Sequence, residues 1–417
     1  MRSKKYQDAQ DRAQGKYTGH NPLGALSFWF DSIKTWQRIL IILIFILALA
    51  GVTAYAAFQQ YTDRIVEQIQ DDEVIEENDL SCTDVEGYVN IVLLGVDSRS
   101  MKKSALKSAN TDAIIVVSMN EKTGEVNLTS VFRDTYLKMG DTSTYEKINA
   151  AYYFGGAKMS MKSLNQAMDL NIKKYVIFNF KMVADLVNAV DGITIDVKER
   201  EIDELNKYTK ETAKHIGQKK YKKVKKAGRQ KLEGVQAVAY GRIRKGVGDD
   251  FRRTSRMRTV IKKVTAKLKN KNLWQLKRIM ELCLDDCKTN LSKNDLIGFA
   301  QRMGKVDLQG SIAYPYTVKT GLLNGISYVF PGDLEDSARR LHKDLFDDDE
   351  YEPSDKLLEI SNYIKSQVGS GGTESDDLGV YDEEIEEERK KEEEKEKMKA
   401  AAEKRQKELE EQQRNSD

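Results

Sequence analysis

The chain has 417 residues, 32% of them charged, and its 68 basic and 66 acidic side chains nearly cancel. Its ends are too biased in composition to join a compact core, so we predict one folded domain. With three histidines, no C-x-x-C pair, no G-x-S-x-G elbow and no glycine-rich phosphate loop, the sequence argues against zinc enzymes, serine hydrolases and nucleotide-binding folds. Cys283 and Cys287 leave a local disulfide and two half-buried thiols as alternatives.

An uncharged apolar run over 39–58 is the most prominent feature near the N-terminus. A helix of this length, at about 1.5 Å per residue, spans a bilayer core of about 30 Å. Lys34 and Arg38 directly precede the run, so the positive-inside bias places residues 1–38 in the cytoplasm. A cleaved signal peptide is the alternative, because the run ends near an Ala-Tyr-Ala sequence. We predict a single-pass cell-membrane protein whose remaining chain is extracytoplasmic.

Residues 59–86 are polar and acidic and are predicted to form a stalk. Short β-rich runs then alternate with helical periodicity, and several runs are apolar on both faces. This pattern predicts an α/β domain over 87–345 in which helices sandwich a central mixed β-sheet (α-β-α). The predicted strands are NIVLLGV (90–96), AIIVVSM (113–119), VNLTSVF (126–132), YVIFNF (175–180) and GITIDV (192–197). The predicted helices lie at 148–170, 180–192, 250–269 and 293–305, with Ser292 as the N-cap of the last.

The C-terminal part changes in composition twice. Residues 346–379 are predicted to be a linker, because their last part, SQVGSGGTESDDLG, is rich in Gly and Ser. Residues 380–417 form a charged low-complexity tail with Glu-to-Lys pairs at i,i+4, each worth about 0.2–0.5 kcal/mol in a helix. The few apolar residues of this tail fit no heptad, so it is predicted to be a solvated helix or disordered.

Charged residues stand at the ends of the apolar strands, where they should line one edge of the sheet. Guanidinium groups match phosphate oxygens bidentately, and aspartates can hold a hard divalent cation. A diphosphate with its metal ion needs both kinds of group. Ordinary surface ion pairs are the alternative, since they are frequent in so charged a chain. The residues concerned are Asp97, Arg99, Asp112, Arg133, Asp134, Lys147 and the uncharged Asn149 beside the first strands, Arg242 and Arg244 on one side of a strand-like stretch, and Asp250, Arg253 and Arg256 at helical spacing.

Seven blocks of the sequence occur in the order seen in the LytR-CpsA-Psr family, which the chain resembles over about residues 87–345. The blocks are NIVLLGVDSR, NTDAIIVVSMN, SVFRDTY, EKINAAYYFGGA, VDGITIDV, LEGVQAVAYGRIRK and DDFRRTSRMR. The resemblance implies a phosphotransferase that moves a glycopolymer, either a teichoic acid or a capsular or secondary wall polysaccharide, from an undecaprenyl diphosphate carrier to peptidoglycan. The reaction would form a phosphodiester and release undecaprenyl phosphate, with the lipid chain in an apolar tunnel between sheet and helices.

The same resemblance implies roles for individual residues. A Mg²⁺ or Mn²⁺ ion would be held by Asp97 and Asp112. The residues predicted to bind the diphosphate are Arg99, Arg133, Lys147, Arg242, Arg244, Arg253 and Arg256. Those predicted to act in catalysis are Asp97, Arg133, Lys147, Arg242 and Asp250, with Asp97 or Asp250 taking the proton of the acceptor hydroxyl. The chain departs from the usual family pattern at Asn110, Phe132 and Met257, where arginine, proline and glutamine are common.

Two other functions are compatible with the sequence. Members of this family were often described as transcriptional attenuators, but the predicted topology separates the folded domain from DNA, and no nucleic-acid partner is predicted. A non-catalytic protein that binds wall polymer is the other alternative. The basic stretch 219–231 is compatible with contact to anionic lipid headgroups or polymer, although a solvated loop is the commoner explanation for such a run.

Overall fold

The computed structural model describes residues 85–98, 100–106, 109–244 and 249–375, with seven isolated positions between 59 and 80. The predicted cytoplasmic segment, membrane helix and charged tail lie outside these residues, as does most of the predicted stalk. Leu80, which was assigned to the stalk, is buried in the core of the domain. Among the helices of the described part, none has the length and the apolar character that a membrane crossing needs.

Short strands alternate with helices along the described chain. The strands are β1 (Tyr88–Val96), β2 (Thr111–Asn120), β3 (Glu125–Val131), β4 (Tyr136–Lys138), β5 (Tyr145–Lys147), β6 (Lys174–Asn179), β7 (Ile193–Val197), β8 (Gly228–Leu232), β9 (Cys287–Thr289), β10 (Asp307–Tyr314), β11 (Thr317–Leu323), β12 (Ile326–Pro331) and β13 (Thr373–Glu374). The helices are α1 (Lys103–Leu106), α2 (Ala151–Met168), α3 (Phe180–Ala189), α4 (Ile202–His215), α5 (Gly234–Tyr240), α6 (Asp249–Leu268), α7 (Leu273–Cys283), α8 (Lys293–Arg302), α9 (Leu334–Phe346) and α10 (Asp355–Val368). Ser292 caps α8 as predicted.

Six strands form a central mixed sheet in the order β10-β3-β2-β1-β6-β9. Strand β1 runs parallel to β6 and antiparallel to β2, while β3 runs antiparallel to β2 and parallel to β10. The C-terminal ends of β1, β3, β6 and β10 therefore meet the N-terminal end of β2 at one edge of the sheet. We call this the site edge.

Helices cover both faces of the sheet, because successive side chains of a strand point to opposite faces and both sets are apolar here. On one face, Val92 and Leu94 belong to a core that includes residues of α2, α9 and α10. On the other face, Ile115 and Leu128 form a second core that Ile261 of α6 and Phe299 of α8 cover. The predicted α-β-α arrangement around a mixed sheet is confirmed.

One predicted strand of the central sheet lies elsewhere. Strand β7 pairs with β8 in a separate two-stranded ladder. Its residues alternate between buried Ile193, Ile195 and Val197 and exposed Thr194 and Asp196. This alternation fits a strand with one face in solvent, whereas a strand of the central sheet is covered on both faces. The assignment of GITIDV to the central sheet is therefore wrong.

The folded domain also extends further than the sequence analysis predicts. Residues 355–368, assigned to a linker, form α10 with Ser354 as N-cap. Leu357, Ile360 and Ile364 lie on one side of this helix and are buried. Strand β13 then pairs with β11. The linker prediction is wrong for these residues, because helical spacing of apolar side chains places one face of α10 in the core.

Shortening one of these buried side chains tests the packing of α10. Ile360→Val is expected to lower the free energy of unfolding by about 0.5–1.5 kcal/mol, because a buried methylene is lost and a small cavity remains. Asn362→Ala, on the exposed side of the same helix, is the control and should stay within about 0.5 kcal/mol of the parent. Urea unfolding measures both variants, and equal effects would contradict the buried position of Ile360.

No disulfide joins Cys283 and Cys287, which lie at the end of α7 and the start of β9. Both thiols are buried. Burial, with the other cysteine and nearby carboxylates adding to it, raises the pKa of the Cys283 thiol to about 12. Burial likewise raises the pKa of Cys287 to about 11. Of the two alternatives, the structure contains a pair of protonated thiols, which are poor nucleophiles.

Candidate active site

The predicted site residues gather along the site edge because several strands of the sheet end there. Asp97 follows the last residue of β1, and Asp112 lies at the start of β2, its antiparallel neighbour. Arg133 follows the end of β3 by two residues. Helix α3 begins directly after β6, which places the aromatic ring of Phe180 at the same edge. Chain topology therefore brings together residues that are distant in sequence.

Asp112 is the centre of one half of the site. Its Oδ1 lies 2.8 Å from Nη1 of Arg133, and its Oδ2 lies 2.9 Å from Nη2 of Arg253. Burial alone would raise the pKa of Asp112, but the charges and hydrogen bonds of Arg253 and Arg133 outweigh burial, so its pKa lies below the ordinary 3.8. Asp112 is therefore ionised at neutral pH and orients two guanidinium groups.

The charges continue from Asp112 along the ends of β3 and β5. Nε of Arg133 lies 3.5 Å from Oδ2 of Asp134, and Nζ of Lys147 lies 3.2 Å from Oδ1 of the same carboxylate. The backbone N–H of Asn149 donates to the carbonyl oxygen of Arg133 at 3.0 Å, which ties the segment after β5 to the end of β3. The predicted proximity of Asp112, Arg133 and Lys147 is thus present in the structure.

A small pocket opens beside this charged group. Its polar lining comes from Asp112, Arg133, Asp134 and Arg253. Its apolar lining includes Phe132, Phe251 and Met257, with the two phenylalanine rings edge to face at 4.6 Å between centroids. Phe132 and Met257 are two of the positions where the sequence departs from the usual family pattern. At the wall of the site, this chain therefore has a large apolar side chain where proline is common (Phe132) and another where glutamine is common (Met257).

Arg242 forms the other half of the site together with residues of α3 and α4. Its Nη1 donates to Oγ1 of Thr212 at 2.9 Å. Its guanidinium carbon lies 4.9 Å from the ring centroid of Phe180 and 5.4 Å from that of Tyr208. Aromatic faces attract a guanidinium group and restrict its orientation, while the edge of the fork can still donate hydrogen bonds. The sequence predicts Arg242 as a site residue but gives no signal for the two rings that contact its guanidinium group.

Asp97 meets a histidine that the sequence analysis did not select. Nε2 of His215, the last residue of α4, lies 3.4 Å from Oδ1 of Asp97. The His215 ring also packs edge to face on Phe180, with 5.6 Å between centroids. The Asp97 side chain is 51% exposed and so stays accessible from solvent. No local signal predicts this pair, because only the fold brings the end of α4 to the end of β1.

The region around Arg242 differs from the sequence prediction in its local structure. AYGRIRK was expected to be strand-like, but α5 ends at Tyr240 and Arg242 lies in the turn that follows. Arg244 lies two residues further on and is partly exposed. Arg99 and the side chain of Asp250 lie outside the described part of the chain, so their predicted roles stay predictions.

Arg256 does not lie beside Asp112 as Arg253 does, which corrects the prediction that Arg256 binds the diphosphate. Its Nη2 lies 2.7 Å from Oε1 of Glu201, and the side chains are 8% and 3% exposed, respectively. Its Nη1 donates to the carbonyl oxygen of Ile243 at 3.2 Å. Both ends of the guanidinium fork therefore bind protein atoms. Arg256 is a positioning residue for the turn that carries Arg242, and its predicted contact with a diphosphate is not available in this arrangement.

The carboxylates fit a divalent cation only if the substrate completes the site. Magnesium is commonly bound by one or two carboxylates together with water and substrate phosphate oxygens. Asp97 and Asp112 lie at the ends of adjacent strands, where Asp97 is half exposed and both oxygens of Asp112 already contact Arg133 and Arg253. Across the described residues, no group of three or more His, Cys, Asp or Glu side chains is close enough to hold an ion alone. An ion held by Asp97 and Asp112 together with a substrate phosphate therefore stays a prediction.

Removing the Asp112 charge should have a pH-dependent effect on stability. Asp112→Asn is expected to lower the free energy of unfolding by about 1–2 kcal/mol at neutral pH, because two guanidinium groups lose their shared counter-charge. A carboxyl whose folded pKa is depressed stabilises the fold above its unfolded pKa of about 3.9, and this stability is lost as pH falls through the folded pKa. The difference between parent and variant should therefore narrow below about pH 4. Urea unfolding across pH measures it, and a constant difference would contradict an ionised Asp112.

Known proteins resemble the chain over most of this domain. Residues 52–342 match the LytR_cpsA_psr family. Biofilm regulatory protein A of Streptococcus mutans is 33% identical over 43% of this chain, a match that spans 44% of that protein's length. The polyisoprenyl-teichoic acid–peptidoglycan teichoic acid transferase TagU of Enterococcus faecalis is 28% identical over 69% of this chain and 88% of its own.

A solved structure supports the same fold. A crystal structure of a Streptococcus agalactiae protein superposes with a TM-score of 0.53 at 28% identity, covering 64% of this chain and 90% of that one. Together with the match over residues 52–342, which is more than half of the chain, this likeness extends the agreement from sequence to three-dimensional structure.

Proposed function

The chain belongs to the LytR-CpsA-Psr family, and we propose that it transfers a glycopolymer from an undecaprenyl diphosphate carrier to peptidoglycan. A teichoic acid or a capsular or secondary wall polysaccharide would be the polymer. The observation that carries this proposal is the grouping of Arg133, Arg253 and Arg242 around a carboxylate-lined site edge. Planar guanidinium forks gathered at one edge of the sheet suit the oxygens of a diphosphate. The name of the Enterococcus faecalis relative supports the same reaction class.

The reaction is a phosphoryl transfer in which the acceptor hydroxyl attacks the phosphorus atom next to the polymer. A new phosphodiester bond forms, the bond to the second phosphate breaks, and undecaprenyl phosphate leaves. Negative charge is spread over the equatorial oxygens in the transition state, so pre-oriented cationic groups lower the barrier. Arg133 and Arg253 are oriented by Asp112, and Arg242 is oriented by Thr212 and two rings, so little reorganisation is needed during the reaction.

A proton must leave the acceptor hydroxyl as the new bond forms. Asp97 is the described candidate to accept it, because its side chain is about half exposed. Lys147 neutralises Asp134 and would lie beside the phosphates. Asp97 and Asp112 would hold a Mg²⁺ or Mn²⁺ ion, which would supply Lewis-acid stabilisation of phosphate oxygens. The apolar tunnel for the lipid chain stays a prediction.

The full chain provides the direct test of this reaction. Purified protein would be incubated with a lipid diphosphate-linked glycopolymer, a peptidoglycan oligomer and Mg²⁺, and the joined product would be detected by mass spectrometry. Transfer should depend on the divalent ion and stop with a chelator. Binding of the donor without any joined product, at saturating acceptor and metal, would instead support a non-catalytic wall-polymer-binding or regulatory protein.

We also propose that residues 39–58 anchor the chain in the cell membrane, with residues 1–38 in the cytoplasm and the catalytic domain outside. A topology reporter fused after Gln59 should score as extracytoplasmic, and one fused before Lys34 as cytoplasmic. The physical reason is the positive charge that precedes the apolar run. Reversed signals would overturn the transfer reaction as well, because the domain could not then meet peptidoglycan.

A further inference from the structure

A row of lysines follows α4 and has no part in the reaction described above. We call it the lysine track, and its members are Lys219, Lys220, Lys222, Lys223, Lys225 and Lys226. All six side chains are exposed. No acidic residue occurs between Glu211 and Glu233. Within the described residues, none of the six ammonium groups forms an ion pair. Over the residues that the structure describes, the track therefore presents concentrated positive charge without ion pairs, with the Glu233 carboxylate bound to its backbone.

The backbone of the track is fixed by side chains of α4 and α5. The N–H of Val224 donates to Oδ1 of Asn206 at 2.9 Å, and its carbonyl oxygen accepts from Nδ2 of the same residue at 2.8 Å. The N–H of Lys222 donates to Oε1 of Glu233 at 3.0 Å, and its carbonyl oxygen accepts from Gln236 at 3.1 Å. These paired contacts hold an extended segment in place while its lysine side chains point outward.

The track starts at the active site and leads away from it. Its first end follows His215, whose ring contacts Asp97, and the N–H of Gln218 donates to the carbonyl oxygen of Ala213 at 2.8 Å. Further along the track, Val224 is bound to Asn206, nine residues before His215 on α4. At about 1.5 Å of rise per residue, these two positions are about 14 Å apart along the helix. The track therefore begins just after the end of α4 that carries His215 and runs back along that helix.

A linear polyanion fits this arrangement better than a membrane surface. Segments that lie in a bilayer interface combine basic residues with exposed Trp, Phe or Leu. Here the apolar Val224 is buried in the domain core. Lysine ammonium groups act as point charges and tolerate varied phosphate geometry, which suits a repeating polymer more than a single tightly bound group.

We propose that the lysine track binds the anionic, phosphate-bearing polymer portion of the donor and guides it away from the diphosphate held at the site edge. This inference rests on the proposed function, since the polymer is that of the proposed donor. Its consequence is selectivity for donors whose polymer is long and negatively charged.

Binding of inorganic polyphosphate to the full chain tests the track without requiring transfer. The variant Lys222→Gln/Lys225→Gln should bind polyphosphate about fivefold more weakly than the parent at low salt, with the difference shrinking at high salt. Lys122→Gln/Lys305→Gln is the control of equal charge. Both control lysines are exposed and flank the turn from β2 to β3 and the start of β10, at the edge of the sheet opposite the site. The control should bind like the parent, and equal binding by all three proteins would overturn the proposal.

Two further measurements separate this inference from the proposed function. In transfer assays, the track variant should raise KM for a donor with a long anionic polymer and leave KM for a donor carrying one uncharged sugar unchanged. If the track variant loses binding to phosphatidylglycerol vesicles but binds polyphosphate like the parent, the track is a membrane contact and the proposal is overturned. If the parent transfers neither donor but the polyphosphate difference persists, the polyanion site stands and the proposed reaction fails.

Discussion

Replacing Arg242 with alanine is expected to lower kcat/KM for transfer by about 10²–10³-fold, equivalent to about 2.7–4 kcal/mol of transition-state stabilisation. The guanidinium is oriented by Thr212 and by the rings of Phe180 and Tyr208, so its free edge can face phosphate oxygens without prior rearrangement. Arg242→Lys should be milder than the alanine variant but still impaired, because lysine keeps the charge and loses the planar fork. Thr212→Val should lower transfer by about tenfold, since it removes only the contact that orients Arg242.

An exposed arginine elsewhere provides the matched control. Arg302 pairs with Glu121 at 3.8 Å, and both side chains are nearly half exposed. Arg302→Ala should leave kcat/KM for transfer unchanged and should change the free energy of unfolding by at most about 1 kcal/mol. Steady-state kinetics with thermal unfolding of each variant separates the two effects. Normal transfer by Arg242→Ala would show that Arg242 does not bind the diphosphate. Arg133 and Arg253, which contact Asp112, would then remain as the candidates.

Four of the six strands of the central sheet could be predicted from sequence because they are apolar on both faces, whereas β9 and β10 lack this pattern and were not predicted. Strands β1, β2, β3 and β6 carry this pattern, and all four lie in the central sheet. Strand β7 alternates buried and exposed residues, and its partner β8, with the sequence GRQKL, has almost no apolar signal. Helix α10 was missed because the Gly- and Ser-rich segment just after it dominates the local composition, although its apolar residues are spaced helically.

The site residues at strand ends could be predicted, whereas the sequence does not indicate which of the two predicted arginines of α6 faces the site. Asp112 and Arg133 flank apolar strands, and the sheet brings them within 2.8 Å of each other. Arg253 and Arg256 are three residues apart on α6 and so point about 60° apart around the helix axis. That rotation directs Arg253 to Asp112 and Arg256 to Glu201. Nothing in the local sequence indicates that Glu201 would lie there.

The buried Arg256–Glu201 pair gives the largest expected effect on stability. Arg256→Ala should lower the free energy of unfolding by about 3–5 kcal/mol, because it leaves the Glu201 carboxylate buried without its cation. The N–H of Lys198 donates to the other oxygen of that carboxylate at 3.1 Å, which is not enough to compensate a buried charge. Urea unfolding measures the loss, with Arg302→Ala again as the control for an exposed pair.

A double variant distinguishes this positioning role from substrate binding. Arg256→Met/Glu201→Leu replaces both charges with apolar groups of similar size, and such replacements of a buried pair are often neutral or stabilising. Its stability should therefore return to near that of the parent, so the coupling energy between the two positions should be large. The double variant still lacks the hydrogen bond to the carbonyl oxygen of Ile243, which lies between Arg242 and Arg244. Transfer should then recover only in part. If the double variant is as unstable as Arg256→Ala, the charge pair is not what stabilises this region. That result would also contradict the positioning role of Arg256.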